Sequence, residues 1–255
     1  MSGKGWVAFL LPVLVCVGCR GKADLAAIEA QRGKWEHAAR LYREYLKANP
    51  NDVLTLRSLS AIECYRLSQH EECAQHADHL LELMPIDSQG VEAGVYAHTM
   101  LAEAAGRAND TARVVAEMGK LADIYFNAGF WHYINEDYGK AEKLFRNVVR
   151  LQPKRVEAYL RLGILFWNKH MEDSSLVWFQ RAAEVDPNNE DALINQMTIY
   201  HDQGDMDKAL RLYDELTALR KRLYPDSSFD AGPDSTLPPL SLDYRGEPPH
   251  GQLPY

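Results

Sequence analysis

Four prolines recur at a nearly fixed interval, and that interval restricts the fold more than any other feature of this 255-residue chain. Pro50, Pro85, Pro153 and Pro187 stand 35, 68 and 34 residues apart, and 68 is twice 34. They sit in similar phrases: "LKANPND", "LELMPID", "VRLQPKR" and "AEVDPNN". Proline lacks an N–H and clashes with the preceding turn, so it ends helices. A period of 34 residues suits a helical hairpin that stacks on its neighbours. An array of that kind holds surfaces in place and brings no chemistry of its own.

Within the period 122–155 the wording is specific. The run Ile124 to Tyr133 is apolar at helical spacing, and "NEDYGKA" interrupts it with turn and cap residues. Ala141, Leu144, Phe145 and Val148 then form a second apolar stripe that runs to Pro153. Tyr125, Gly129, Tyr138, Ala141, Phe145 and Pro153 resemble the signature of the tetratricopeptide repeat. The next period has Tyr159, Leu162, Gly163, Phe166, Phe179, Ala182 and Pro187, with Ser175 where alanine is usual. The last has Tyr200, Gly204, Ala209 and Tyr213 and lacks the closing proline. Gly33, Ala38, Tyr42 and Pro50 mark a first unit, and Ala61, Cys64, Cys73 and Pro85 a weaker second one. The resemblance implies an all-α fold, a right-handed superhelix (solenoid) of about six hairpins over residues 19–223.

Small residues explain how such hairpins close. Gly129 and Gly163 on first helices should oppose Ala141 and Ser175 on second helices, letting the backbones approach to about 8–10 Å. A leucine at Ala141 should overpack that crossing at a cost of roughly 1–3 kcal/mol. The third unit breaks the pattern, with Gly119 where a proline is due. "GRAND", residues 106–110, is its expected turn, placing its first helix at 90–105, about four residues late. A short second helix, from Asp110 to Met118, and a bend near 106–121 follow.

The start of the chain reads as an export signal. Lys4 is followed by "WVAFLLPVLV", an apolar run of about 12 residues, too short for a bilayer that takes about 20. Gly18-Cys19 is similar to the end of a bacterial lipobox, although Cys16 replaces the usual leucine. That reading makes 1–18 a lipoprotein-type signal peptide and Cys19 the acylated first residue. The chain would then be anchored in a bacterial cell envelope, with Arg20 favouring the outer membrane, facing the periplasm. A plain signal peptide, giving a soluble secreted adaptor, and a short uncleaved anchor are the alternatives.

Charge narrows the partners. Twenty-eight basic residues against 36 acids give −8, and removal of 1–18 takes away Lys4 alone, 27 − 36 = −9. An acidic chain without a basic stripe does not suit nucleic acid. Residues 224–255 hold seven of the twelve prolines and no helical period, and are expected to be a disordered tail. Its "LPPLSLDY", residues 237–244, could dock on a partner or on the protein's own groove.

The expected partner is a protein or peptide. The family resemblance places its groove on first helices, here at Phe126, Phe130, Tyr133 and Ile134, then Leu160, Ile164 and Trp167, then Ile194, Thr198 and His201. These form an aromatic and aliphatic surface of the type enriched in interfaces, or else core between repeats. Phe130 and Trp167 are the strongest groove candidates. His70, Cys73, His76 and His79 recur every three residues and carry zinc-ligating chemistry, so a metal-dependent factor or enzyme centred there is the alternative function. However, Cys73 occupies the inward crossing position, and steps of three drift around a helix. Cys64 and Cys73 on one hairpin fit either a disulfide or, the preferred reading, two buried thiols. No nucleophile elbow, zincin helix, phosphate loop or dinucleotide fingerprint occurs, so no catalytic residue, metal ligand or cofactor is assigned.

Overall fold

The computed structural model describes residues 21–225, so the expected leader, Cys19 and the tail beyond Pro225 lie outside the described residues. Eleven helices follow one another, with no strand among the described residues. They are α1 (Lys22–Gln31), α2 (Trp35–Leu46), α3 (Val53–Tyr65), α4 (His70–Leu83), α5 (Ser88–Arg107) and α6 (Thr111–Ile134). Then come α7 (Tyr138–Leu151), α8 (Val156–Asn168), α9 (Glu172–Val185), α10 (Glu190–Asp202) and α11 (Met206–Leu223). The chain divides into two compact units after Ala128, within α6.

One backbone position sets the rhythm. Left-handed φ values fall at Gly33, Ser68, Asn109, Glu136, His170 and Gly204, each in a tight turn between two helices. The amide of the next residue reaches back to a helix carbonyl five positions earlier in Lys34→Glu29, Asp110→Ala105, Asp137→His132, Met171→Phe166 and Asp205→Tyr200. This Schellman closure satisfies carbonyls that a helix end would leave unpaired. The following helices start on side-chain caps where the turn supplies one: Asp110 accepts from the Arg113 amide, Asp137 from Lys140 and Asp205 from Lys208. Pro50, Pro85, Pro153 and Pro187 lie just beyond the ends of α2, α4, α7 and α9, as their spacing predicts.

The left-handed positions also locate the irregularity, and correct its size. From Ser68 to Asn109 is 41 residues and from Asn109 to Glu136 is 27, which together make 68, twice the 34 found between Glu136, His170 and Gly204. The third turn is therefore seven residues late, not four, because α5 is 20 residues long where α3 has 13. Seven residues are about two helical turns, so the added stretch returns nearly to the same face. The lost register is recovered in α6. The short helix expected to stop at Met118 instead continues through Gly119 to Ile134, 24 residues without a break. No proline or cap interrupts "MGKLADIY", and a lone glycine costs only about 1 kcal/mol in a helix, too little to end one. Six hairpins would need twelve helices, and the fusion in α6 leaves eleven.

In the first unit, Leu56, Leu59 and Leu80 are almost fully buried among Ala26, Ala38 and Tyr42. Each such leucine contributes roughly 1.5–3 kcal/mol by leaving water. A second cluster joins Cys64, Cys73, Ala77, Ala93 and Ala97. Cys64 and Cys73 are disulfide-bonded, with Cα atoms 5.4 Å apart, which overturns the preference for two free thiols. Buried carboxylates tie helices together: Glu63 accepts from Arg43 at 2.7 and 2.9 Å and faces His76 Nδ1 at 2.7 Å. Glu29 is held down to about 2 by Lys34 foremost, with His37 and Arg32 adding to it against the opposing effect of desolvation.

In the second unit the crossings are filled differently from small-on-small packing. Ser175 Oγ donates to the Gly163 carbonyl at 2.8 Å, the expected contact. The space left by each missing Cβ is taken by a ring, Phe145 at Gly129 and Phe179 at Gly163, so the aromatic fills the crossing itself.

Candidate functional site

Helix α8 builds the centre of the candidate surface. Leu160, Ile164 and Trp167 are spaced by four and three, placing them along one side. Ile164 is buried against Phe179 and Ile199, whereas Leu160, Trp167 and Tyr133 are partly buried around that cluster. Phe130 and Tyr133, at the end of α6, stack with ring centroids 6.4 Å apart. Tyr138, which opens α7, extends the row, its ring 5.9 Å from that of Tyr133. Phe130 and Trp167 are both partly exposed, so the two strongest groove candidates remain reachable from solvent.

Two polar residues that the sequence reading passed over organise this strip. The Arg161 guanidinium lies over the Phe130 ring, 4.7 Å from its centroid. Asn168 Nδ2 donates to the Tyr133 hydroxyl at 2.7 Å. Arg161 and Asn168 are seven residues apart in α8, two turns, which is the sequence signal that places them together. Burial raises the Tyr133 phenol above its usual pKa, against the lowering influence of Asn168. It therefore stays a neutral hydrogen-bonding group at any physiological pH. Beside it, Tyr138, Trp167, Asn168, His170 and Glu172 line a shallow open hollow.

Not every expected groove residue joins the strip. Phe126, in the first unit, is buried at 4% exposure, because α6 turns that side into the packing. Ile164 at 8% and Thr198 at 2% belong to the core, and the Thr198 hydroxyl bonds the Ile194 carbonyl at 2.8 Å. Ile194 packs on the cluster of Leu193, Leu216 and Leu219. Ile134 and His201 are exposed, the latter facing Asp202 at 3.2 Å. The strip thus reduces to Phe130, Tyr133, Leu160 and Trp167, joined by Tyr138, Arg161 and Asn168.

The histidine cluster does not assemble. Cys73 is spent in the disulfide, His76 faces Glu63, and His79 faces Asn51 and Glu82. The His70 ring packs edge-on against Tyr96, at 5.6 Å. Among the described residues no three histidine, cysteine or acidic side chains stand together in a way that could hold a metal ion.

The strip offers rings, one cation over a ring and one amide in a shallow open setting. Such a surface can clasp an extended or helical peptide through stacking and apolar contact. Family models described as tetratricopeptide repeat match residues 132–190 and 192–223. Among curated proteins the chain is 33% identical over 98 residues to anaphase-promoting complex subunit 3 of Schizosaccharomyces pombe, 38% of this chain and 15% of that one. It is 28% identical over 93 residues to photosystem I assembly protein Ycf3 of Prochlorococcus marinus, 35% of this chain and 54% of that one. The chain therefore spans about half or less of the length of these relatives. Solved structures that it resembles include MamA, at 16% identity and a TM-score of 0.40, covering 78% of this chain and 96% of the other. The type IV pilus biogenesis factor PilW is similar at 18% identity and a TM-score of 0.37, covering 81% and 94%. Repeating hairpins closed by left-handed turns, glycine–aromatic crossings and the two matched segments lead to one assignment: the chain is a tetratricopeptide repeat protein.

Proposed function

We propose that this protein is a lipid-anchored scaffold of a bacterial envelope, which grips a protein or peptide on the strip formed by Phe130, Tyr133, Leu160 and Trp167. The observation that carries the reading is the partial exposure of Phe130, Tyr133 and Trp167 on neighbouring stretches of α6 and α8. Large rings left half in water are costly unless something covers them, and Tyr and Trp dominate interface energetics. The Cys64–Cys73 disulfide supports export, since such bonds persist in oxidising compartments. The leader-like start and Cys19 support a lipid tether, with the outer membrane facing the periplasm as its site. The use we assign is assembly or stabilisation of an envelope machine, of the pilus-secretin or outer-membrane-assembly kind. A relative named for photosystem I assembly is in keeping with a scaffold in assembly.

Ile134 is half exposed beside the strip and is a suitable place for a photoreactive amino acid. Irradiation of living cells should yield one discrete adduct with a partner chain. Combining the probe with Tyr133→Ala or Trp167→Ala should reduce that adduct by about tenfold or more, as for a hot-spot residue. No adduct, or an adduct indifferent to both substitutions, overturns the site.

A further inference from the structure

A second surface, on α7 and α9, is built differently. Phe166 and Trp178, both 6% exposed, form its floor. Three cations lie over these rings. Arg146 sits 5.0 Å from the Trp178 centroid and 5.9 Å from that of Phe166, Arg181 is 4.8 Å from Trp178, and the Lys169 ammonium is 5.0 Å from Phe166. Glu142 accepts from Arg146 at 3.0 Å and from Lys169 at 3.1 Å, leaving a local excess of positive charge. Arg181 has no carboxylate partner among the described residues. Met171 and Val177 complete the rim, 44% and 45% exposed. Stacked guanidinium groups keep their edge N–H donors pointing outward, ready for carboxylates, while the exposed thioether and isopropyl groups call for an apolar cover.

We propose that this hollow is the docking site of the chain's own C-terminal segment, with residues 237–244 as its core. The chemistry is complementary. Residues 226–255 hold Asp226, Asp230, Asp234, Asp243 and Glu247 against Arg245, 1 − 5 = −4, on a chain that is acidic elsewhere too. Leu237, Leu240, Leu242 and Tyr244 alternate with proline and acid, the mixture of apolar cover and carboxylate that the rim requires. The reach is sufficient. Arg222, near the end of α11, donates to Asn188 just beyond α9 at 2.5 Å, which sets the start of the segment beside the foot of α9. Within α9, Val185 back to Arg181 is about 6 Å of helical rise, and Asn188 lies three residues past that end. Twelve residue steps separate Pro225 from Leu237, which at full extension would allow a reach of roughly 35–40 Å. Proline also limits the entropy lost on docking. Occupied in this way, the second hollow would be closed to other acidic peptides until the segment is displaced.

The test uses the full chain, with a photoreactive amino acid in place of the exposed Val177. Irradiation of the purified protein at low ionic strength should give monomer-sized product whose crosslinks map to residues 226–255. The yield should fall about tenfold in Arg146→Glu combined with Arg181→Glu, and in 1 M salt, where the Debye length shrinks to about 3 Å. Asp234→Asn, Asp243→Asn and Glu247→Gln together should have the same effect, and these positions lie beyond the last described helix, α11, in sequence. Crosslinks confined to residues 21–225, crosslinks only between molecules, or yields indifferent to charge reversal and to the tail substitutions would overturn the proposal.

Discussion

Two glycines in equivalent positions are under different pressure, and the difference can be measured. Both facing rings are buried, so the contact distances separate the two: a Cβ on Gly163 would lie 2.5 Å from Phe179 Cε1, closer than carbon atoms approach without a shift of the ring or the helix. A Cβ on Gly129 would meet Phe145 Cε1 at 3.0 Å, a contact that a shift of a few tenths of an ångström relieves. Alanine gains about 0.5–1 kcal/mol over glycine inside a helix. Overpacking costs about 1–3 kcal/mol. Gly163→Ala should therefore be destabilised by roughly 1–2 kcal/mol, and Gly129→Ala should be near neutral. Urea denaturation of the two variants checks the order, and equal midpoints would refute the ring-in-crossing geometry. The left-handed residues invite the reverse experiment. Glu136 and His170 hold φ values of 60° and 56° that Gly33 and Gly204 adopt without a Cβ. His170→Gly should gain up to about 1 kcal/mol, because left-handed backbone costs an L-residue about 1–2 kcal/mol and glycine's extra chain entropy offsets part of the relief.

At the scale of helices, α4, α5 and α6 are pinned by one fully buried histidine. His98 Nε2 lies 3.0 Å from Asp78 and its Nδ1 2.6 Å from Glu117, which Arg113 also approaches at 4.0 Å. Burial opposes the charged ring, yet the bonds to Asp78 and Glu117 outweigh it and raise the His98 pKa above the usual value. A raised folded-state pKa stabilises fully below the unfolded pKa of about 6.5 and is lost as pH climbs through the folded one. Melting temperature should thus fall between pH 6 and pH 9 in the native chain. His98→Gln should melt lower at pH 6, by an amount reflecting about 3 kcal/mol for a broken buried pair, and show a flatter profile. A parallel decline in both proteins would place the titration elsewhere. The hairpin of α3 and α4 carries the disulfide, which closes a short loop nine residues in separation. Replacing Cys64 and Cys73 by alanine should lower stability by roughly 2–3 kcal/mol through the freed unfolded chain. The helices themselves were legible from period and proline, since both act locally. The continuity of α6 was not, because Gly119 reads as a break only if a break is assumed there. What ends a helix is a cap or a proline, and that stretch has neither.

For the molecule as a whole, the sequence displayed which residues are apolar, but not which of them face water. First helices in this architecture are apolar on two sides, one toward their hairpin partner and one toward the groove. A heptad pattern alone cannot rank Phe126 below Phe130, or Ile164 below Trp167. Only the crossing geometry decides, and it buried the first of each pair. The proposed function also holds the protein at a membrane, and the described helices bear on how. No helix among the described residues is long and apolar enough to cross one. The chain is acidic, so anionic headgroups repel rather than recruit it. On the proposed function, membrane residence would fall to an acylated Cys19, each buried CH₂ contributing about 0.8 kcal/mol and more than one chain being needed for stable attachment. Exchanging residues 1–18 for a leader that directs soluble export, with Cys19→Ser, should move the protein wholly from the membrane pellet to the soluble envelope fraction. Its helical circular dichroism should be unchanged, because α1 begins only at Lys22. The photo-adduct from Ile134 should weaken with it wherever tethering supplies the partner's effective concentration. Retention of the exchanged form in washed membranes would show that a protein surface, not a lipid, is the anchor.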